Sequence, residues 1–529
     1  MSCATTLCGQ EIVHSIAHPL YRVNDRLTLA HVEKLLVLFN RFESLNGMHD
    51  GRANGLVRTI FGSLTREMVE DMAERHRLAP LGPTPWKKSF TGGSDDHGGH
   101  YIATTFTETP AAAGAAEYLA HLRAGGHQPG GDSGGSLRLM LSLYTIADDY
   151  HRRQFPFGLG SRRDPFAELL RRVARTPGSQ RPPGAAPRRT RRGLATATGR
   201  RGGLAMSPAT AAQAAFAAAN RASRELATAL FEGFSRMARR GRLSAGLAAA
   251  AGQLAPLAAA AAPYLVAAQT QHKDDDLLAA AALRFLGQRP VWAGGKGGKK
   301  AWFTDTLTDV NGVARTIRTL AALARERGRN IAAITCGREA PPPELAVHCF
   351  EPVAELPIPG YEVQTVALPP FLEVLEHCER EQYGEILIST PGPLGLLGLA
   401  AGKLLGIPTT GIYHTDFPLY VRHLAGSTTL EEMTWAYMRL VLRPDGQGLR
   451  GQPQLPPPDA RHDPPLRGPR AGSRDVRPGR GPRPPPELGP SPRPPLASPP
   501  LPRLPRRPRR GCRDALEVRA GSRRGPRRQ

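Results

Sequence analysis

Hydrophobic and polar positions change rhythm several times along this chain. Between residues 10 and 150, short apolar runs such as EIVHSIAHPL alternate with stretches of helical period. In LTLAHVEKLLVLFNRFESL, the residues Leu35, Leu36, Leu38 and Phe39 fit one buried helix face. Residues 207–288 are Ala-rich with a helical pattern, ending in KDDDLLAAAALRFLG. From Lys299 onward AWFT, NIAAIT, EVQTVAL, EILIST and IPTTGIYHT read as strands. Helices VARTIRTLAALARERG, FLEVLEHCEREQ and GLLGLAAGKLLG lie between them. This alternation predicts an α/β fold with a doubly wound parallel sheet whose active face lies at the C-terminal ends of its strands.

Two segments follow neither rhythm. Residues 161–203 hold 12 Arg against 2 acidic residues, and residues from Arg443 to the end hold 21 Arg against 7. Their surpluses account for the whole formal charge of +24, so the parts able to fold are nearly neutral. A charge spread this way gives no continuous basic face, and no nucleic-acid partner is expected. The tail has 23 Pro and no Phe, Trp or Tyr, too little apolar surface to offset about 1–2 kcal/mol of backbone entropy per residue. Only 8 of the 70 basic residues are Lys, which suggests a GC-rich, bacterial gene. The change falls inside the helical stretch TWAYMRLVL, so the tail reads as frameshifted translation, against the rival of a natural polybasic extension. The expected organisation is 1–160, a first α/β domain; 161–206, a disordered linker; 207–297, a helical connector; 298–442, a Rossmann-like domain; 443–529, a disordered tail.

Three loops that follow strands carry the candidate chemistry. In FTDTLTDVNGVARTI, Asn311 and Gly312 open a helix, where backbone amides can approach a phosphate. STPGPLGLLGLA again sets Pro and Gly before a helix, and GIYHTDFPLYV places His414, Thr415 and Asp416 at a strand end. A lone His is more often structural. The three loops in this order resemble the N-terminal, acceptor-side domain of glycosyltransferase family 4, over about residues 299–442. The resemblance implies a GT-B fold and a retaining, metal-independent transfer from a nucleotide-sugar donor. It places Asn311 and Gly312 near the donor diphosphate, His414 at the reaction centre, and Thr415 and Asp416 on the acceptor side. The family's donor-binding domain, with two glutamates eight positions apart, is expected after TWAYMR and is absent there. Glu373 and Glu381 have that spacing but read as a solvated helix face.

The N-terminal part holds IVHSIAHPLYRVN, FNRFESLNG and FTGGSDDHGGHYIATTFTET. His18, Asp95 and His97 suit a Zn, Mn or Fe site, although S-D-D-H-G-G also makes a polar turn. The order of these motifs resembles the later half of a PHP domain, a metal-dependent phosphoesterase built on a distorted β/α barrel. That resemblance implies His18, Asp95 and His97 as ligands of a divalent metal, Zn or Mn, with Asp96 and His100 behind them and His14 a weaker candidate. The upstream ligands of such a cluster are not in the sequence, so a partial barrel is expected.

The combined reading is a glycosyltransferase fragment that is inactive without its donor-binding domain. Its acceptor would be a glycan, lipid or small-molecule hydroxyl. The alternatives are a PHP-type phosphoesterase and an inactive binding or scaffold relic. Six Cys without zinc-type pairs, and no signal peptide, point to the cytoplasm, with peripheral membrane contact open. The run from Ala245 to Ala268 could span a bilayer by length, but its prolines, Gln and alanines favour a soluble helix.

Overall fold

Short polar side chains open the first helices of the computed structural model. Thr28 caps α1 (Leu29–Leu38), Asp50 caps α2 (Gly51–Gly62) and Thr65 caps α3 (Arg66–His76), each accepting a first-turn N–H that has no partner in its helix. The structure describes residues 6–7, 10, 12–154, 208–240, 243–293, 298–339, 345–358, 361–414, 417–425 and 428–442. The expected linker at 161–206 and tail at 443–529 lie outside these residues, as do Thr415 and Asp416.

Helix α1 is shorter than its pattern suggested. It stops at Leu38, and after Asn40 the chain extends into β1 (Arg41–Asn46), which takes Phe42 and Leu45 into the core. The buried stripe of α1 is Val32, Leu36 and Val37, whereas Leu35, Leu38 and Phe39 are only partly covered. Next come β2 (Ser89–Gly93), β3 (Thr105–Glu108), α4 (Ala115–Ala124), β4 (Gln128–Gly131) and α5 (Ser136–Gln154). β1 pairs with β2 in parallel, β3 with β4 antiparallel, and Ile16 bridges to Phe42. Among the described residues these strands make two-stranded sheets, and the expected partial barrel is not shown.

The Ala-rich stretch forms α6 (Pro208–Arg239), α7 (Leu243–His272) and α8 (Asp275–Leu286). Among the described residues no helix is long and apolar enough to cross a membrane. Small side chains let α6 and α7 pack along each other, with Ala215, Ala219, Ala260 and Ala268 buried.

The last region contains β5 (Lys300–Phe303), α9 (Gly312–Glu326), β6 (Ile331–Cys336), β7 (Val347–Phe350), β8 (Ala354–Ile358), β9 (Tyr361–Leu368), α10 (Phe371–Glu381), β10 (Glu385–Ile388), α11 (Pro393–Leu404), β11 (Thr409–Gly411), α12 (Phe417–Ala425) and α13 (Thr428–Leu442). Five strands make a parallel sheet in the order β11-β10-β5-β6-β7. Period-two alternation sends Ala301 and Phe303 to one face, in a core with Leu375 of α10 and Leu394 of α11, and Trp302 to the other, with Ile317 of α9. EVQTVAL is a strand, but it pairs antiparallel with β8 outside this sheet.

One hydrophobic core runs from Met140 and Tyr144 of α5 through Ala219 and Tyr264 to Phe303 and Ile386, so the Ala-rich helices are a layer of the packing between the two α/β parts. The described residues form one compact unit. A buried polar junction reinforces it at Glu379 of α10, whose carboxylate accepts from Ser136 of α5 and from Tyr264 Oη of α7 at 3.0 Å. His272 Nε2 lies 3.7 Å from the same carboxylate, and its Nδ1 lies 3.0 Å from Asp275. Glu373, expected to be solvated, instead accepts from Asn220 at 2.6 Å and Arg224 at 3.0 Å, and Glu381 pairs with Lys299.

Burial pulls the His272 imidazole down, but Asp275 and Glu379 outweigh it, against Arg52, and hold it above its ordinary 6.5. A raised folded value means stability present below that ordinary value and lost as pH rises through the folded one. Denaturant titrations should therefore show His272-dependent stabilisation at pH 6 that fades toward pH 8 and vanishes in His272→Gln. Glu379→Ala should cost roughly 2–3 kcal/mol by stranding the Ser136 and Tyr264 hydroxyls.

Candidate active site

The C-terminal edge of the parallel sheet gathers the loops after β5, β10 and β11. Strand ends bring Thr304–Asn311, Ser389–Gly392 and Ile412–His414 side by side: the Ser389 N–H donates to Phe303 O at 3.1 Å, and the Ile412 N–H to Ile388 O at 2.8 Å.

Asp305 ties the first two loops together. Its Oδ2 accepts from Thr390 Oγ1 at 2.6 Å, its Oδ1 accepts the Leu394 N–H at 3.0 Å, and its own N–H donates to Thr390 Oγ1 at 2.8 Å. Burial raises the Asp305 carboxyl, while Thr390 and the amides of Leu394, Gly395 and Gly392 favour its ionised form. A Cβ on residue 392 would lie 2.4 Å from Asp305 Oδ2, so only glycine allows the carboxylate to seat there. Gly398, further along the helix, lets α11 lie against the Phe303 ring, which a Cβ would meet at 2.9 Å. The N-terminus of α11 is thus already occupied by a protein carboxylate. The glycines of STPGPLGLLG serve this packing and do not hold open a phosphate cradle.

Helix α9 begins differently. Asn311 is its N-cap, accepting the Ala314 N–H at 2.8 Å and donating through Nδ2 to Asp309 at 3.2 Å. Nothing lies within 4 Å of where a Cβ on Gly312 would stand. Gly312 is exposed, so no described residue covers the helix start on that side, and an anion near a helix N-terminus is favoured by the helix dipole.

His414 is half-buried, and burial lowers its pKa. Its Nε2 lies 3.0 Å from Ser389 Oγ, which also accepts the Trp302 indole N–H at 2.6 Å. Tyr437 of α13 donates to Pro391 O and holds the same loop from the other side. His414, Asn311 and Gly312 therefore share one edge. Sequence reasoning missed Trp302, Asp305, Ser389 and Thr390; the signal available was a polar side chain at or just past the end of each of two neighbouring strands.

The N-terminal candidates come together only in part. His18 and His49 line a cleft with Glu43, Asn46 and Asp274 around a cavity of about 20 Å³, room for one water. Glu43 Oε2 accepts the His18 N–H at 2.9 Å and Asn46 Nδ2 at 3.0 Å; the same Nδ2 lies 3.1 Å from Asp95 Oδ2. Burial pushes the Glu43 carboxyl up, and burial together with the neighbouring His18 pulls His49 down to about 4. His97 does not join them: its side chain is 75% exposed and its Nδ1 lies 3.0 Å from the Asp95 carbonyl. Asp96 accepts the N–H groups of Gly98 and Tyr101 and the Ser142 hydroxyl, and His100 contacts Thr145, so both brace the turn. His14 Nδ1 lies 2.7 Å from Ile12 O. Among the described residues no three His, Cys, Asp or Glu side chains are placed to hold a metal ion.

Residues 310–445 match the family model described as Glycosyltransferase Family 4. The match covers α9 to α13 and includes Asn311, Gly312, Ser389 and His414. No curated protein matches the chain. The family model supports glycosyltransferase activity in general and a mixed α/β domain; it lends nothing to the PHP resemblance.

Asp305→Ala strands the Thr390 hydroxyl and the Leu394 amide at a helix start, and should lower stability by about 1–3 kcal/mol in chemical denaturation. Added formate should recover part of the loss in this variant, and none in the unaltered chain.

Proposed function

We propose that this chain carries the acceptor-side half of a retaining glycosyltransferase centre, in which a sugar passes from a nucleoside diphosphate to a hydroxyl of a glycan, lipid or small molecule. The observation that carries the reading is the division of labour between two helix starts at one sheet edge. The α11 terminus is filled by Asp305, whereas at the α9 start Gly312 is exposed and a Cβ there would meet no atom within 4 Å. Charge that builds on the leaving diphosphate would meet the Gly312 and Val313 amides, already oriented by the Asn311 cap. His414 would stand beside the transferring sugar, and Asp416, outside the described residues, on the acceptor side. An amide that needs no reorganisation as charge develops stabilises the transition state more than the ground state.

Nucleoside diphosphates titrated into the chain should bind, and Gly312→Glu should abolish binding with the thermal melt preserved, because a carboxylate would then sit where the diphosphate goes. If UDP, GDP, ADP and TDP all fail to bind, the donor assignment is wrong. Where sugar transfer to a hydroxyl acceptor is measured, His414→Ala should reduce kcat/KM by roughly 10²–10³; an undiminished rate would remove His414 from the centre.

A second reading concerns the N-terminal cleft and is favoured by backbone strain. His18 and Asp95 both hold positive φ, 32° and 47°, conformations that cost a non-glycine residue energy and cluster at functional sites. The PHP resemblance implies phosphoester hydrolysis at a divalent metal, Zn or Mn, held by His18 and Asp95 with His97 swung inward. Calorimetric titration with Zn and with Mn tests it. Binding near one ion per chain that His18→Ala removes would support the reading, and identical isotherms for the two proteins would end it.

A further inference from the structure

We infer that Trp302 and Ser389 are positioning residues that fix His414 as the Nδ1–H tautomer, so that it meets a bound molecule as a hydrogen-bond donor to oxygen. The inference deepens the glycosyltransferase reading, on which it rests for the identity of that oxygen, a sugar hydroxyl or a diphosphate oxygen. It does not rest on that reading for the tautomer.

The argument begins at the indole. Trp302 Nε1–H can only donate, and at 2.6 Å from Ser389 Oγ it occupies one lone pair of the hydroxyl. Ser389 then has one hydrogen to place. The residue is 5% exposed, and among the described residues the remaining polar contact of its Oγ is His414 Nε2 at 3.0 Å. Were Nε2 protonated, two N–H groups would face one oxygen, and the buried serine hydrogen would have no acceptor. With Nε2 bare, all three groups are satisfied. The proton of the neutral ring is then on Nδ1, because the partner of one ring nitrogen decides the state of the other.

The indole cannot easily turn away. Trp302 is 4% exposed and sits in the middle of the sheet, opposite Leu387 on one neighbouring strand and Ala333 on the other. The direction of its N–H is therefore set by the same ladder that sets the strand ends. Burial lowers His414, which keeps the ring neutral near pH 7 and the relay intact. Nδ1 has no hydrogen-bond partner among the described residues. It is the ring nitrogen left for a ligand, and it arrives carrying hydrogen. The Nε2 lone pair, committed to Ser389, is not free to act as a base.

Long-range ¹H–¹⁵N correlation spectra of the full chain with ¹⁵N-labelled histidine test this, with the His414 signals assigned by their loss in His414→Gln. The unaltered chain should show His414 with a protonated Nδ1 and a bare, pyridine-like Nε2 at pH 7. Ser389→Ala should move the population toward the Nε2–H form, Trp302→Phe should do so in part, and Ser389→Thr, which keeps the hydroxyl, should restore the original pattern. An Nε2–H signature in the unaltered chain, or an unchanged pattern in Ser389→Ala, would overturn the inference. The spectrum of the unaltered chain decides the tautomer even if a variant fails to fold. An Nδ1–H signature in a chain that binds no nucleoside diphosphate would leave the relay standing and remove the glycosyltransferase reading instead.

Discussion

A carboxylate taken out of water must find donors, and Asp305 finds them at the start of α11 and on Thr390. The geometry of the sheet's C-terminal edge follows from that one requirement. The loop after β5 cannot shift without stranding the charge, and the loop after β10 cannot shift without losing its cap. Because the two strands are neighbours, the clamp also holds Ser389 within reach of the Trp302 indole N–H, and through Ser389 it sets where His414 stands. The clamp has a chemical consequence as well. It fills the helix start of α11 with a protein carboxylate, whereas Gly312 at the start of α9 is exposed.

The Ala-rich helices solve a different problem. Two α/β parts with apolar flanks need a layer between them, and alanine lets α6 and α7 approach closely enough to close that layer without large voids. Such a layer specifies position weakly, since alanine surfaces lack distinctive shape. Polar contacts supply the register. Glu379 receives Ser136 from one side and Tyr264 from the other. Gln271 donates to Met48 O at 2.7 Å and accepts the Asp50 N–H at 3.0 Å. Each such contact penalises sliding, because a displaced partner would be buried and unsatisfied.

Much of the sheet was legible in the pattern. Strands β5, β6, β10 and β11 follow from apolar runs bounded by turns and separated by helical stretches. β7 was missed because His348 and Cys349 interrupt a four-residue run. EVQTVAL was read correctly as extended, but periodicity says nothing about which strand a strand will pair with, and it joined β8. α1 was read too long because Phe42 and Leu45 continue its apolar pattern, whereas Asn40 and the β1–β2 pairing decide where it ends. In the candidate site, His414 was visible because it stands just after a strand, and Asn311 and Gly312 because they open a helix. Their supporting residues were not: Asp305 and Thr390 are 85 positions apart, and Trp302 and Ser389 are 87 apart. A buried Trp in a strand looks like core until the partner of its N–H is known.

At the N-terminal cleft, residue type and motif order nominated His18, Asp95 and His97 together, and folding separated His97 from the others. His18 and Asp95 are drawn to Glu43 and Asn46, while His97 turns outward onto the Asp95 carbonyl. By itself, then, the order of apolar and polar residues determined that the last region is a parallel α/β sheet with helices between its strands, because that property depends on local period and chain direction. The tertiary structure alone decided which helix start a carboxylate fills, which nitrogen of His414 is bare and which imidazoles share a cleft. These depend on pairing hydrogen-bond donors with acceptors across the fold, and a buried polar atom's partner is chosen by space and not by sequence distance.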